Sequence, residues 1–394
     1  MSRILFLTPQ LPHPPHQGAA IRNLNLIKIA ARKHPVAVYS FVRSPGEAEA
    51  AKVLREWCDE VRTFPAPTRG LPERALWTAF SPTPDMGRRL RSATFARAAG
   101  EAQADVVQAE GIEMAQYLDQ TVARKVLDCH NAEWLLQWRT FALDLARRRP
   151  VGAAYSLLQW LKLRRYERRA CQQANAVIAV SEDDRQTLLD LDRGLEVDVV
   201  PNGVDASIFA PDPQAPTSNT FLFTGTLDFR PNVDAVLWLV HDIWPLIRRE
   251  LPGAELTLAG RAPLTAVRRL HGQDGIRVEA SPVDIRPYFA ASAVYLAPLR
   301  AGGGSRYKLL QAMSMGLGIV STTLGAEGLS VVNGVHLRLA DTPAALAQSA
   351  VELARDAPQR QQLACAARAL VLARYDWPVL APGLLAVYDR LAAR

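Results

Sequence analysis

Three consecutive glycines, Gly302, Gly303 and Gly304, precede Ser305, Arg306 and Lys308, and an apolar helical stretch from Leu309 to Met315 follows at once. Glycine lets a backbone approach a ligand closely, and a helix start offers unpaired N–H groups carrying about half a positive charge. Two cationic side chains beside such a start make a cradle for an oxyanion, a phosphate above all. The same residues would also serve as an ordinary tight turn. Gly316 ends the helix, and Gly318 to Thr322 has the β-branched run of a buried strand, so the segment predicts loop, helix, turn and strand in succession.

Such units recur along the chain. Ile4 to Thr8 reads as a buried strand, followed by a proline-rich loop and then Gly18, Ala19 and Ala20 at the start of a helix that runs to about Arg32. Phe221 to Gly225 is a strand that enters a basic loop with Arg230, ahead of a helix through Ile247. Further strands are predicted over 36–42, 105–110, 125–130, 176–180, 197–200, 254–261, 276–280 and 294–298. Strands alternating with helices predict α/β architecture on parallel sheets. Ligands of open parallel sheets sit beyond the carboxyl ends of the strands, which puts Glu110 and His130 at one rim and Arg261 at another. By residue type alone, a lone histidine such as His130 is more often a hydrogen-bonded structural residue than a functional one.

At 394 residues the chain is too long for one core and suits two domains of roughly 200 residues each. The four cysteines lie far apart with no paired spacing, so neither a disulfide framework nor a zinc site is indicated. The apolar run at the amino end stops at Thr8 and reads as a strand, and no stretch of about 18 apolar residues spans a bilayer, so a cytoplasmic protein is expected. The net charge of +7 is uneven: residues 1–175 hold 26 Lys and Arg against 16 Asp and Glu. Much of that excess lies in 134–170, where arginines alternate with Trp134, Trp138 and Trp160. That pattern suits peripheral contact with an anionic membrane, and equally a solvated basic face over a packed core. Nucleic acid has no reading element here beyond basicity, and no GxGxxG of a dehydrogenase follows the first strand.

Residues 302–329, GGGSRYKLLQAMSMGLGIVSTTLGAEGL, resemble the donor-binding segment of glycosyltransferase family 4, in particular its bacterial surface-polysaccharide branch, which reads GGGTRxKxLEAMAMGxPVVSTxxGAEGL. Asp128 to Glu133 resembles the D-x-H-N-x-E segment of that family, Ser181 lies in its V-S-x-x-D, and Pro201 to Asp205 matches its interdomain PNGVD. The resemblance implies a retaining transferase with the GT-B fold: two Rossmann-like domains facing across a cleft, and a C-terminal helix crossing back to the first. The implied boundaries are an acceptor-binding domain at 1–200, a nucleotide-sugar-binding domain at 201–375 and the returning helix at 376–394.

The resemblance also implies residue roles. His130, Arg230, Arg306 and Lys308 would act on the reacting groups. Gly18, Ala19, Gly225, Arg261, Val283, Gly303, Gly304, Ser305, Gln311 and Glu327 would bind the donor. A second glycine and two glutamates of the family are replaced, by Ala19, Gly303 and Gln311. The expected substrates are a nucleotide sugar and a carbohydrate or lipid-linked acceptor, with no cofactor and no metal. The loss of both glutamates leaves a competing reading, a non-catalytic sugar-nucleotide binder that partners an active enzyme.

Overall fold

The computed structural model describes residues 1–146, 148–212, 219–301 and 306–393, apart from the side chains of Leu71 and Ala75. The chain divides into two compact units, residues 1–201 with 380–394, and residues 202–379.

The first unit runs β1 (Ile4–Thr8), α1 (Gly18–Ala31), β2 (Val36–Val42), α2 (Pro45–Ala50), β3 (Glu60–Pro65), α3 (Leu71–Phe80), α4 (Ala93–Glu101), β4 (Val106–Glu110), β5 (Arg124–Cys129), α5 (Glu133–Ala146), α6 (Pro150–Gln173), β6 (Ala176–Ala179), α7 (Glu182–Leu189) and β7 (Val197–Val199). Its sheet has the order β3-β2-β1-β4-β5-β6-β7, with every pairing parallel. β1, β2 and β4 are buried along their whole length, as apolar runs covered on both faces must be. The core beside them includes Phe41 stacked on Phe95, ring centroids 4.5 Å apart, with Tyr117 against Phe95.

The second unit runs β8 (Thr220–Thr224), α8 (Arg230–Trp238), α9 (Trp244–Glu250), β9 (Glu255–Gly260), α10 (Thr265–Arg268), β10 (Ile276–Ala280), α11 (Arg286–Ala290), β11 (Val294–Ala297), α12 (Tyr307–Ser314), β12 (Gly318–Ser321), β13 (Arg338–Leu339), α13 (Pro343–Arg355) and α14 (Ala357–Arg374). Its sheet is again parallel, in the order β10-β9-β8-β11-β12-β13. Helix α15 (Trp377–Ala392) belongs to the first unit from Leu380 onward. There Tyr388 donates to Gln108 Oε1 at 2.7 Å, Arg390 pairs with Asp198 and Lys33 pairs with Asp389.

In both sheets the strand order reverses beside the first strand, between β1 and β4 and between β8 and β11. Loops leaving the carboxyl ends of such neighbouring strands part to opposite faces, and the crevice between them is where a ligand enters. α7 opens behind a serine cap, with Ser181 Oγ accepting from Asp184 N at 3.0 Å. The proline-rich 65–84 holds a true helix, α3, and α4 also forms behind its own cap, Ser92.

Candidate functional site

At the reversal in the first sheet, α1 opens on Gly18 and Ala19 behind Gln17, with no capping side chain and no acid in its first turn. Its N–H groups therefore remain available to an anion. The buried face of α1 carries Arg22 and Asn23 among aliphatic residues, both fully inaccessible. Arg22 grips Asp128 of β5 with two parallel bonds of 2.6 and 2.7 Å, and its other nitrogen donates to Val200 O at 3.0 Å. His130 follows β5, its Nε2 lying 3.1 Å from Glu110 Oε2 and 3.4 Å from Asp128 Oδ2. With its amide nitrogen turned inward, Asn23 donates to Ala19 O and Glu110 Oε2.

The charges of this cluster set one another. Burial opposes the imidazolium, but bonds and charges from Asp128 and Glu110 outweigh it and raise His130 to about 10. Burial and the charge of Asp128 raise Glu110 to about 7, against the pull of His130. Burial alone would also raise Asp128, but Arg22 and then His130 hold it well below the carboxylate range. His130 is thus a cation at neutral pH, held on a rigid base at the end of β5.

Glu110, Asp128 and His130 offer ligand-type atoms within 4.8 Å of one another. Arg22 occupies both oxygens of Asp128, and the His130 nitrogen that a metal would need is the one shared with the two carboxylates. This donor set, already neutralised by a guanidinium and an imidazolium, does not fit a metal ion.

At the reversal in the second sheet, Gly225 ends β8 and Lys308 lies in the first turn of α12. Lys308 Nζ donates to Asn232 Oδ1 at 2.6 Å and sits 4.7 Å from the Phe223 ring centroid. A Cβ on Gly225 would lie 2.8 Å from Asn232 Nδ2 and 3.2 Å from Lys308 Nζ, so only glycine leaves room for this pair. Asn232 Nδ2 in turn donates to Thr226 O, closing the loop after β8 around the lysine. Burial, and then the charge of Arg306, pull Lys308 down to about 7. No carboxylate among the described residues bonds to it. A cation held half-charged for want of a counter-ion is a receptor for an anion.

Arg306 is placed differently from Lys308. Its side chain is buried, with Nη2 donating to Leu324 O at 2.7 Å and Nε to Glu327 O at 3.3 Å, and the Glu327 carboxylate lies 3.4 Å away. It therefore anchors the 324–327 turn while its charge bears on Lys308. Gln311 lies one turn along α12 from Lys308, half-buried. Arg230 is exposed at the first position of α8. Arg261 follows β9, where Ser281 Oγ accepts from Ala262 N at 3.2 Å and joins the ends of β9 and β10. Val283, two residues further, is fully exposed. Gly303, Gly304 and Ser305 lie outside the described residues.

Two functional partners escape a reading of the sequence, Arg22 and Asn232. The first has a signal: an arginine and an asparagine inside the apolar stripe of α1 must meet buried partners. Asn232 has none, because one asparagine after a proline at a helix start is an ordinary feature.

Residues 17–208 match the family model described as Glycosyltransferase Family 4, and residues 218–356 match the model described as Glycosyl transferases group 1. Among curated proteins, an alpha-maltose-1-phosphate synthase of Mycolicibacterium smegmatis is 26% identical over 302 residues, 68% of this chain and 73% of that protein. A phosphatidyl-myo-inositol mannosyltransferase of Mycobacterium tuberculosis is 28% identical over 55% of this chain and 59% of its own. An uncharacterized 44.6 kDa protein in the cps region of Klebsiella pneumoniae is 24% identical over 39% of this chain, which spans 42% of that relative. Among solved structures, a sucrose-phosphate synthase from Thermosynechococcus elongatus superposes with a TM-score of 0.73 at 15% identity, covering both chains in full. Anabaena HepE in complex with UDP and glucose gives 0.67 at 17% identity, over 99% of this chain and all of its own. Two parallel-sheet units with these likenesses, and family models that match residues 17–208 and 218–356, place the chain in glycosyltransferase family 4 with the GT-B fold.

Proposed function

We propose that the protein transfers a hexosyl group from a nucleoside-diphosphate sugar to an acceptor hydroxyl with retention of anomeric configuration. The observation that carries this reading is the Lys308–Asn232 pair packed over Gly225 at the reversal of the second sheet, in a chain of this family. In the reaction the bond from the anomeric carbon to the diphosphate oxygen breaks, and the acceptor oxygen bonds to that carbon on the same face. The acceptor proton passes to the departing phosphate oxygen, and the nucleoside diphosphate leaves. No carboxylate pair of the glycosidase kind is needed.

Negative charge grows on the leaving phosphate, so a fixed donor aimed there contributes about 3 kcal/mol to the transition state. We assign that role to Lys308, with the N–H groups at the start of α12 and Arg230, two residues before Asn232 on α8, while Arg306 keeps the adjoining turn in place. His130, a cation on the Arg22–Asp128 base, would bind the sugar. Neither Lys308 nor His130 calls for a metal or another cofactor.

The acceptor we favour is lipid-linked or a polysaccharide precursor, met at the cytoplasmic face of a membrane. No helix among the described residues is long and apolar enough to cross one. Support for peripheral contact comes from exposed Leu76 and Phe80 on α3 and Val151 and Leu161 on α6, with Arg148, Arg149, Arg164 and Arg165 exposed among them. Lys162 ties α6 to α3 by donating to Thr78 O at 2.5 Å. Apolar tips flanked by arginines suit an anionic interface.

A thermal-shift panel of nucleoside diphosphates and their sugars tests the reading. A ligand at 100 times its dissociation constant adds about 2.7 kcal/mol, and Lys308→Ala should remove the shift. A shift as large after that substitution as before it, or no shift with any nucleotide, refutes it. The anomer of the product, read by NMR, decides retention.

A further inference from the structure

A cavity of about 580 Å³ opens in the first unit. It lies beyond the carboxyl ends of β1, β2, β3 and β5, and its walls include Arg43, Arg69, Arg74 and Arg89, with His130 at one side. Against four guanidiniums the lining sets, among the described residues, two carboxylates, Asp85 and Glu113. Glu113 pairs with Arg89. Asp85 serves two arginines, Arg69 at 3.0 Å and Arg74 at 4.0 Å.

Positive charge is thus in excess, and it is not evenly satisfied. Arg69 is mostly enclosed, 12% exposed, and its Nη1 is buried with no hydrogen-bond partner. Arg43 is exposed, and its side chain meets no carboxylate among the described residues. A buried guanidinium N–H without an acceptor carries a desolvation cost that a bound oxyanion would relieve. The uncapped start of α1 adds further donors, since Gln17 and Ala19 line the same cavity. Among the described residues, the lining includes no Phe, Tyr or Trp on which a bare sugar ring would stack.

We propose that this cavity holds the acceptor by a phosphate or diphosphate group, gripped by Arg43 and Arg69, with the reacting hydroxyl turned toward His130. Calling the occupant the acceptor rests on the transferase reading above; the anion site itself does not. Planar guanidinium forks match phosphate oxygens two at a time, and this sets a phosphate apart from a neutral glycan. The same group occurs on a polyprenyl phosphate carrier and on a soluble phosphorylated sugar, and the cavity chemistry is common to both.

The test uses the full chain carrying Lys308→Met, so that the anion receptor of the second unit is disabled, and inorganic pyrophosphate as the calorimetric probe. One saturable site is expected, weakened at least tenfold by Arg69→Ala and by Arg43→Ala. Asp85→Asn, which releases Arg69 and Arg74, should tighten it about threefold, an outcome that misfolding cannot imitate. Glucuronate should bind at least tenfold more weakly than pyrophosphate. Phosphatidylcholine vesicles with and without polyprenyl phosphate then decide the source: retention only on doped vesicles indicates the lipid, and equal behaviour with pyrophosphate still binding indicates a soluble phosphate ester. No pyrophosphate binding, or binding indifferent to all three substitutions, or glucuronate bound as tightly as pyrophosphate, overturns the proposal. The nucleotide shift of the unsubstituted chain is read separately, so a failure of the donor reading and a failure of this one are told apart.

Discussion

Lys308 should make nucleotide binding take up a proton. In the free protein its ammonium is pulled down to about 7 by burial and by the charge of Arg306. A diphosphate at Lys308 would favour the charged form and restore the value toward the ordinary 10.4 or so. Over pH 7.5 to 8.5 the free lysine goes from about one-quarter charged to about 3% charged, while the bound one stays charged, so the dissociation constant should rise about eightfold. At pH 8.0 about 0.9 proton should be taken up per nucleotide bound. The terminal phosphate, with a pKa near 6, is already ionised across this window and adds little.

The assay is calorimetry with the nucleoside diphosphate that gives the largest thermal shift, repeated in buffers of different ionisation enthalpy. Lys308→Arg keeps a charge that does not titrate and should flatten the pH dependence; Lys308→Met should bind weakly at every pH. A dissociation constant that changes less than twofold from pH 7.5 to 8.5, with heats independent of buffer, would refute the reasoning. Either the lysine is then charged before the ligand arrives, or the phosphate does not touch it.

Other expectations follow from the same geometry. Arg22→Leu strands the Asp128 carboxylate, fully buried, and should cost about 3–5 kcal/mol in urea unfolding, with the Arg22→Leu/Asp128→Asn pair costing much less than the sum. The His130 imidazole, raised to about 10, should remain protonated by ¹⁵N NMR at pH 8, and Glu110→Gln should bring its titration down toward neutrality. Because its folded pKa is raised, stability from its charge is fully present below about pH 6.5 and is lost as pH rises through about 10. Lys308 works the other way: between about pH 7 and 10.4 the unfolded chain holds the extra proton, so stability rises with pH, and Lys308→Met should stabilise most below pH 7. Gln311→Glu should tighten nucleotide binding by about 1 kcal/mol, because a carboxylate accepts from a ribose hydroxyl more strongly than an amide; calorimetry showing no gain would place the ribose elsewhere.

The scaffold was readable where apolar runs were long. β1, β2, β4, β8 and β9 announce themselves as short buried runs, and Gly111, Gly225 and Gly260 are the residues through which the loops leave β4, β8 and β9. β3 was easier to miss: Glu60 to Pro65 alternates polar and apolar residues as a half-buried strand does, but it is short and runs straight into the proline-rich tract; it pairs with β2 over six residues as an edge strand. α4 was hidden because its apolar residues are small, Ala98 and Ala99 beside the single Phe95. The site was readable as residue types and not as partnerships. Arg306 and Lys308 look alike in the sequence, two basic residues at one helix start. What divides them is tertiary: the carbonyls of the 324–327 turn claim Arg306, and a neutral asparagine from α8 claims Lys308.

That division bears on how each unit treats charge. In the first unit, Asp128 and Glu110 are matched by Arg22 and His130 without leaving the fold. In the second, Asn232 satisfies the geometry of Lys308 and leaves its charge uncompensated. An aspartate at 232 would form a closed ion pair with the lysine and compete with any incoming phosphate. The amide holds the lysine in place and asks for an anion to complete it. Asn232→Asp should therefore raise the Lys308 pKa and stabilise the free protein while weakening nucleotide binding at least tenfold. That opposition between stability and affinity would not arise if Asn232 merely packed against the helix.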